Sequence, residues 1–262
     1  MMNGTCPLFT LKQHTVIMAA GIALAALVSH MPVNAQNLTE NLDLNVNIAN
    51  NHLWRGIEVS DGFVMTSSLS IHDKNDHMRL GVWSGTNTSG EYKELNYFAE
   101  FKASGWKLAF WDTYNYSPNA TYNNREFFNY SARTTGRFLD AILSYNAGKR
   151  FPLTLSWSTI VFGRDRNADN TANKYSTYIY AAYPIVNNSQ WRIDLGCGGT
   201  FALNPAGDNS TFYSDGAGII HTELRVSRSL RITKNFKLPI HASVVWNPKC
   251  DRAFFQLGAT IL

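Results

Sequence analysis

From Glu94 to Tyr116 the sequence alternates apolar and polar residues along two arms joined by a tight reversal. In the first arm Leu95, Tyr97, Ala99, Phe101 and Ala103 fall on one side, with Asn96, Phe98, Glu100 and Lys102 on the other. Ala103-Ser104-Gly105 turns the chain. The second arm then sets Trp106, Leu108 and Phe110 against Lys107, Ala109, Trp111 and Thr113. Period-2 alternation of this length is the signature of a strand with two unlike faces. The same pattern recurs almost to the last residue, with reversals that are alternately short and long. The pattern predicts an all-β fold: a transmembrane, antiparallel, up-and-down β-barrel of about twelve strands. A soluble β-sandwich is the alternative, but its aromatics need not track the turns.

Here they do. Trp106, Tyr145, Tyr183, Trp191 and Phe236 sit on the apolar side beside the short turns, as one interfacial girdle would, and Tyr114, Tyr116, Tyr175 and Trp246 suit the opposite one. Pro184 is expected to end the eighth strand, since it cannot donate to a ladder. Residues 117–136 are expected to form a long polar link with local structure over Phe127 to Tyr130. Two residues break the pattern. Asp112 falls on the apolar face of the fifth strand, which calls for a bulge, an early strand end or a different register, and Arg228 falls on that of the tenth, near enough to a turn to snorkel.

Residues 1–35 read as a secretory signal peptide, leaving 36–262 as the barrel domain. Lys12 and His14 precede the apolar run Thr15 to Val28, and Val33-Asn34-Ala35 supplies the small residues of a cleavage site. The run is too short to span a bilayer as a helix. The net charge of +4 is too small to imply a nucleic-acid partner. Cys197 and Cys250 follow the signal and make no dense disulfide framework, so they are expected to stay unpaired. Neither they nor the scattered histidines have metal-ligand spacing, and no cofactor motif is present. The glycines at 196, 198 and 199 interrupt a strand, so they suggest close packing and not a phosphate loop.

The inward set is rich in charge: Asp43, Arg79, Glu100, Lys102, Lys107, Asp140, Arg192, Asp194, Glu223 and Arg225. Rings of charge in a pore select ions or charged solutes. The same residues could instead pair with one another and fill the interior, as Glu100 with Lys107 would across the hairpin. About twelve strands fall between filled barrels of roughly eight and open channels of about sixteen or more. A lipid-modifying enzyme is a third reading. His221, Glu223 and His241 share a side near Ser227, Ser229 and Ser243, but no compact nucleophile motif is present, and no catalytic residue is assigned.

Leu53-Trp54-Arg55-Gly56-Ile57 followed by Ser60-Asp61-Gly62 resembles the link between the first two strands of TorF-type porins. Phe138 to Ala141 and Phe151 to Trp157 are similar to small barrels common in Bacteroidota. The chain departs from many such barrels by ending in Ile261-Leu262 where they end in Phe or Trp. The resemblance implies a Gram-negative outer-membrane barrel, inserted by the barrel assembly machinery and surrounded by outer-membrane lipid. A small porin of this kind, with the mixed-charge inward set, is expected to let small, charged solutes diffuse passively past Arg79, Lys102, Lys107, Arg192 and Arg225. For Trp54, Arg55 and Gly56 the residues themselves suggest a structural part, in which Gly56 allows a tight path, Trp54 packs and Arg55 pairs with a lumen acid.

Overall fold

The computed structural model describes residues 40–122, 126–205 and 207–262. The expected signal segment, 1–35, lies outside the described residues. The described residues form fourteen strands in chain order: β1 Leu42–Ala49, β2 His52–Trp54, β3 Ile57–Ser60, β4 Val64–His72, β5 Met78–Asn87, β6 Lys93–Ala103, β7 Trp106–Asn115, β8 Arg137–Asn146, β9 Thr154–Gly163, β10 Ser176–Asn187, β11 Arg192–Ala202, β12 Gly218–Arg231, β13 Lys237–Asn247 and β14 Arg252–Thr260. Twelve of them close into one antiparallel barrel, and β2 and β3 form a separate two-stranded hairpin. No described helix is long and apolar enough to cross a membrane.

Alternation fixes which wall each residue joins. Across β6 and β7, Ala99 faces Phe110 and Phe101 faces Leu108 on the outside, while Glu100 faces Ala109 and Lys102 faces Lys107 on the inside. The tip, Ser104 (φ 49°) and Gly105 (φ 85°), has two positive φ values, which is the hairpin turn that matches strand twist. Outside, Leu44, Leu69, Val82, Leu108, Phe110, Leu143, Leu155, Trp157, Leu195, Leu224, Val244 and Leu257 all stay exposed. An uncovered apolar surface of that extent on a closed sheet matches hydrocarbon and not water. At the short-turn end Trp106 packs on Tyr145 at 4.6 Å, and Trp191 carries the Arg228 guanidinium at 4.6 Å. Cys197 and Cys250 are both free.

Barrel closure is made by β1, which pairs along its length with β4 and near its end with β14. The seam extends past β14, where the Val46 amide donates to the Leu262 carbonyl at 2.9 Å and the Ile261 amide to the Val46 carbonyl at 2.8 Å. Closure matters because an open edge in lipid leaves backbone groups without partners.

Three expectations change. Pro184 does not end its strand: β10 runs on to Asn187, and a register shift between Pro184 and Val186 absorbs the missing donor. The first long link is not merely a link, because β2 and β3 lie within it. Asp112 needs neither a bulge nor a slipped register. It sits on the outer wall between Tyr97 and Leu139, where Arg137 approaches to 2.9 Å and the Tyr130 hydroxyl donates at 2.6 Å. Arg137 is on the same wall, opposite Tyr114, and is 1% exposed. Its guanidinium lies over Phe127 at 4.6 Å, Tyr114 at 4.7 Å and Tyr130 at 5.0 Å, and its Nε donates to the Phe127 carbonyl at 2.9 Å. Phe127 and Tyr130, from the link after β7, thus lie over the outside of the barrel and shield an ion pair there.

Losing one partner of a buried pair strands the other charge. Asp112→Ala should therefore lower stability to urea unfolding in lipid vesicles by about 3–5 kcal/mol. The double variant Asp112→Leu/Arg137→Leu should recover most of that loss, because it removes both charges.

Candidate functional site: the barrel lumen

Most of the charged residues expected inside are paired with one another. Near the short-turn end Arg79 joins Asp43 and, at 2.9 Å, Asp76, which also takes Lys102 at 2.8 Å. Lys107 meets Glu100 at 3.3 Å. The Arg192 Nε donates to both oxygens of Asp194, at 3.0 and 2.8 Å. Arg225 lies 3.8 Å from Glu223, which also accepts from the Tyr180 hydroxyl at 3.1 Å. Gly196 and Gly198 are small because Tyr180 and Tyr178 lie over them; a Cβ at either would fall 2.1 or 2.4 Å from the tyrosine oxygen.

Toward the long-link end the lumen is occupied by the hairpin β2–β3. Arg55 (φ 52°) and Gly56 (φ 78°) form its two-residue tip. A side chain at Gly56 would strike the Ile220 carbonyl oxygen at 2.0 Å, and the Gly56 carbonyl accepts from Asn247 Nδ2 at 3.0 Å. Trp54 packs on Tyr213 at 5.3 Å and on Phe138 at 5.8 Å. With Ile57, Tyr180 and Phe212 it joins a core of Phe138, Ile160, Tyr178, Tyr213 and Ile220. The apolar core thus lies inside the barrel, built by the hairpin and the link after β11 against the inner wall.

Arg55 is the polar anchor. It pairs with Asp140 and donates to the Tyr213 hydroxyl, and its guanidinium rests over Trp54 at 4.8 Å and Tyr178 at 5.3 Å. Burial alone would lower its pKa, yet Tyr213 and Asp140 beside it hold it above the ordinary value. Asp140 faces inward but is covered by the hairpin, with 4% of its side chain exposed. At the hairpin's start, His52 stacks on Tyr92 at 5.3 Å and tilts against Trp83 at 5.8 Å. Burial pushes its pKa from 6.5 down to about 4, so the ring is neutral at pH 7.

Between the hairpin and the walls of β5 to β8 lies a cavity of about 490 Å³. Its lining includes Trp54, Trp83, Trp111, Phe138, Phe212, Glu94, Asn96, Asn115 and Arg164. Alternation places Trp83 and Trp111 inside, but Arg164 belongs to a link that has no period, so sequence reasoning did not single it out. The signal was Gly163, whose φ of 105° ends β9 and whose missing Cβ lets the chain pass the Arg137 carbonyl. The His221 ring meets the Tyr178 hydroxyl at 2.7 Å and His241 meets Gln256 at 3.3 Å. Neither ring bonds a serine among the described residues. Nor do three metal-ligating side chains cluster among them.

No family model matches the sequence, and no curated protein matches it. Among solved structures, the chain is similar to the outer membrane protein OpdK of Pseudomonas aeruginosa, with 10% identity and a TM-score of 0.36 over 84% of this chain. It spans 60% of OpdK's length. It is also similar to an outer membrane channel from Pseudomonas putida F1, with 12% identity and a TM-score of 0.43 over 84% of this chain and 94% of that one.

Two outcomes follow for the hairpin. Asp140→Asn removes the charge that compensates Arg55, so amide hydrogen exchange over 52–60 should accelerate by about tenfold or more while the barrel strands stay protected. A released hairpin takes up a proton on His52 before a docked one does. Docking is therefore at full strength above pH 6.5 and weakens as the pH falls toward about 4, where the loss levels off. Protection of 52–60, corrected for intrinsic exchange, should fall across that window in the wild type and stay level in His52→Phe.

Proposed function

We propose that the chain is a Gram-negative outer-membrane barrel through which small, mostly charged solutes diffuse passively. In this reading it is exported by residues 1–35, inserted by the barrel assembly machinery, and surrounded by outer-membrane lipid. The observation that carries it is the opposition of two walls: an uncovered apolar exterior and a polar, ion-paired interior that still encloses unfilled space. Arg79, Lys102, Lys107, Arg192 and Arg225 line the path near the short-turn end, each compensated by an acid. Such a wall favours charged and polar solutes with weak preference for sign. The hairpin β2–β3 narrows the path at the other end. Kinship with TorF-type porins or Bacteroidota barrels is part of the proposal, supported by the segments 53–62 and 138–157.

One observation favours a second reading, a closed structural or surface-interaction barrel: the hairpin tip is packed into an apolar core and anchored by Arg55. Planar-bilayer recording separates the two. Diffusion predicts discrete conductance steps, larger when 52–60 is replaced by a Gly/Ser linker. Arg192→Ala, which leaves Asp194 uncompensated at the mouth, should move the reversal potential in a salt gradient toward cation preference. Silence from both the wild type and the linker variant would leave only the closed barrel.

A further inference from the structure

In the lumen cavity the charged groups are unequally provided for. Arg55 has Asp140. Glu94 accepts from Asn96 Nδ2 at 2.8 Å on one oxygen and from Asn115 Nδ2 at 3.4 Å on the other. Arg164 has no such partner. Its Nε is shielded from solvent and makes no hydrogen bond, and among the described residues no carboxylate is in ion-pair contact with its guanidinium. What it does have is aromatic support. The flat of the guanidinium lies 3.7 Å from the Tyr122 ring centroid, 4.6 Å from that of Phe212 and 5.3 Å from that of Phe138.

That support holds the group in one orientation. The Arg164 amide donates to the Arg137 carbonyl at 2.9 Å. The next residue, Asp165, accepts from the Ser176 amide at 2.7 Å and its hydroxyl at 2.8 Å, so the backbone on both sides of the side chain is fixed. Burial pulls the guanidinium below its ordinary pKa, against the opposing pull of Tyr122, Glu94 and Asp165. An arginine still stays charged throughout the working range. A cation with its faces covered by rings and an unsatisfied edge is a donor fork without an acceptor. The other walls of the cavity carry the indoles of Trp54, Trp83 and Trp111, beside Asn96, Asn115 and the already engaged carboxylates of Glu94 and Asp140. The volume of about 490 Å³ is within the range of small-molecule sites, roughly 300–1,000 Å³.

We propose that this cavity is a binding site for a small organic acid with a flat apolar body, its carboxylate received by Arg164 and its body held among the indoles of Trp54, Trp83 and Trp111. The acid supplies the acceptor that Arg164 lacks, and its body replaces water against aromatic walls. A neutral analogue leaves the guanidinium edge unpaired. An inorganic anion leaves the rings unused. The site deepens the diffusion reading, because it lies on the solute path, but binding can be measured without any conductance.

The test is isothermal titration of the full folded barrel in detergent, with folding checked by heat-dependent mobility on gels. Benzoate should bind, with benzamide and inorganic phosphate each weaker by about tenfold or more, since a charge-assisted hydrogen bond is worth at least that factor. These arms use only the wild type and do not depend on a variant folding. Arg164→Gln should weaken benzoate by a similar factor and leave benzamide unchanged, and Arg164→Lys should restore only part of the loss. Benzamide binding as well as benzoate, phosphate binding as well as benzoate, or an unaltered benzoate affinity in folded Arg164→Gln would each overturn the proposal. A barrel that binds benzoate but is silent in bilayers would keep the site and discard diffusion.

Discussion

The structure depends on the closure of its sheet. A strand in hydrocarbon must give every amide and carbonyl a partner within the protein, and an unpaired group there costs several kcal/mol. The pairing of β1 with β4 on one side and β14 on the other removes both edges. Once the sheet is closed, the two faces of each strand face different media, and period-2 alternation becomes obligatory. That is why Leu108 and Phe110 point outward while Lys107, only one residue before Leu108, pairs with Glu100 inside.

Closure creates an interior that side chains alone do not fill. The chain meets this differently at the two ends. Near the short turns the inward charges satisfy one another along and between strands, so Arg79, Lys102, Lys107 and Arg192 each have an acid nearby. Near the long links, the interior is occupied by an inserted hairpin with an aromatic core. Bringing a guanidinium into that core has a desolvation cost of several kcal/mol. Asp140, Tyr213 and the rings of Trp54 and Tyr178 offset it. Arg137 outside solves the same problem with Asp112 and a cage of rings. In both places a buried arginine is held by one carboxylate and several aromatics.

What was legible in the sequence was whatever alternation could encode. Arg79, Glu100, Lys102 and Lys107 could be assigned to the inward face because most of their neighbours two residues away are also polar or small. Trp83 and Phe98 could be placed there despite being apolar, for the same reason. Asp112 stood out as a misfit, but its partner could not be read: Arg137 is at the start of the next barrel strand, beyond a link with no period. The part played by Trp54, Arg55 and Gly56 was readable as a tight turn with a packed ring and a paired cation, whereas the choice of Asp140 among the lumen acids depends on barrel closure. Pro184 was misjudged because a single bulge can accommodate a missing donor. Arg164, Phe212 and Tyr213 lie in links, where side-chain direction is set by tertiary contacts and leaves no local pattern.

Under the proposed diffusion, the two halves of the lumen together determine what a solute experiences. A charged solute loses little hydration among the paired ions near the short turns, where field and water are both available. At the hairpin the walls are indole and phenyl, the local dielectric is lower, and a bare charge would be disfavoured unless a fixed opposite charge meets it. Arg55 cannot serve, since Asp140 already neutralises it. Glu94 cannot serve a cation well, since two amides already engage it. Arg164 is left as the one charge of the cavity with neither an ion-pair nor a hydrogen-bond partner among the described residues. The asymmetry of this lumen therefore lies less in net charge than in satisfaction: ions are matched along one half, and among the described residues the other half keeps Arg164 unmatched against flat rings.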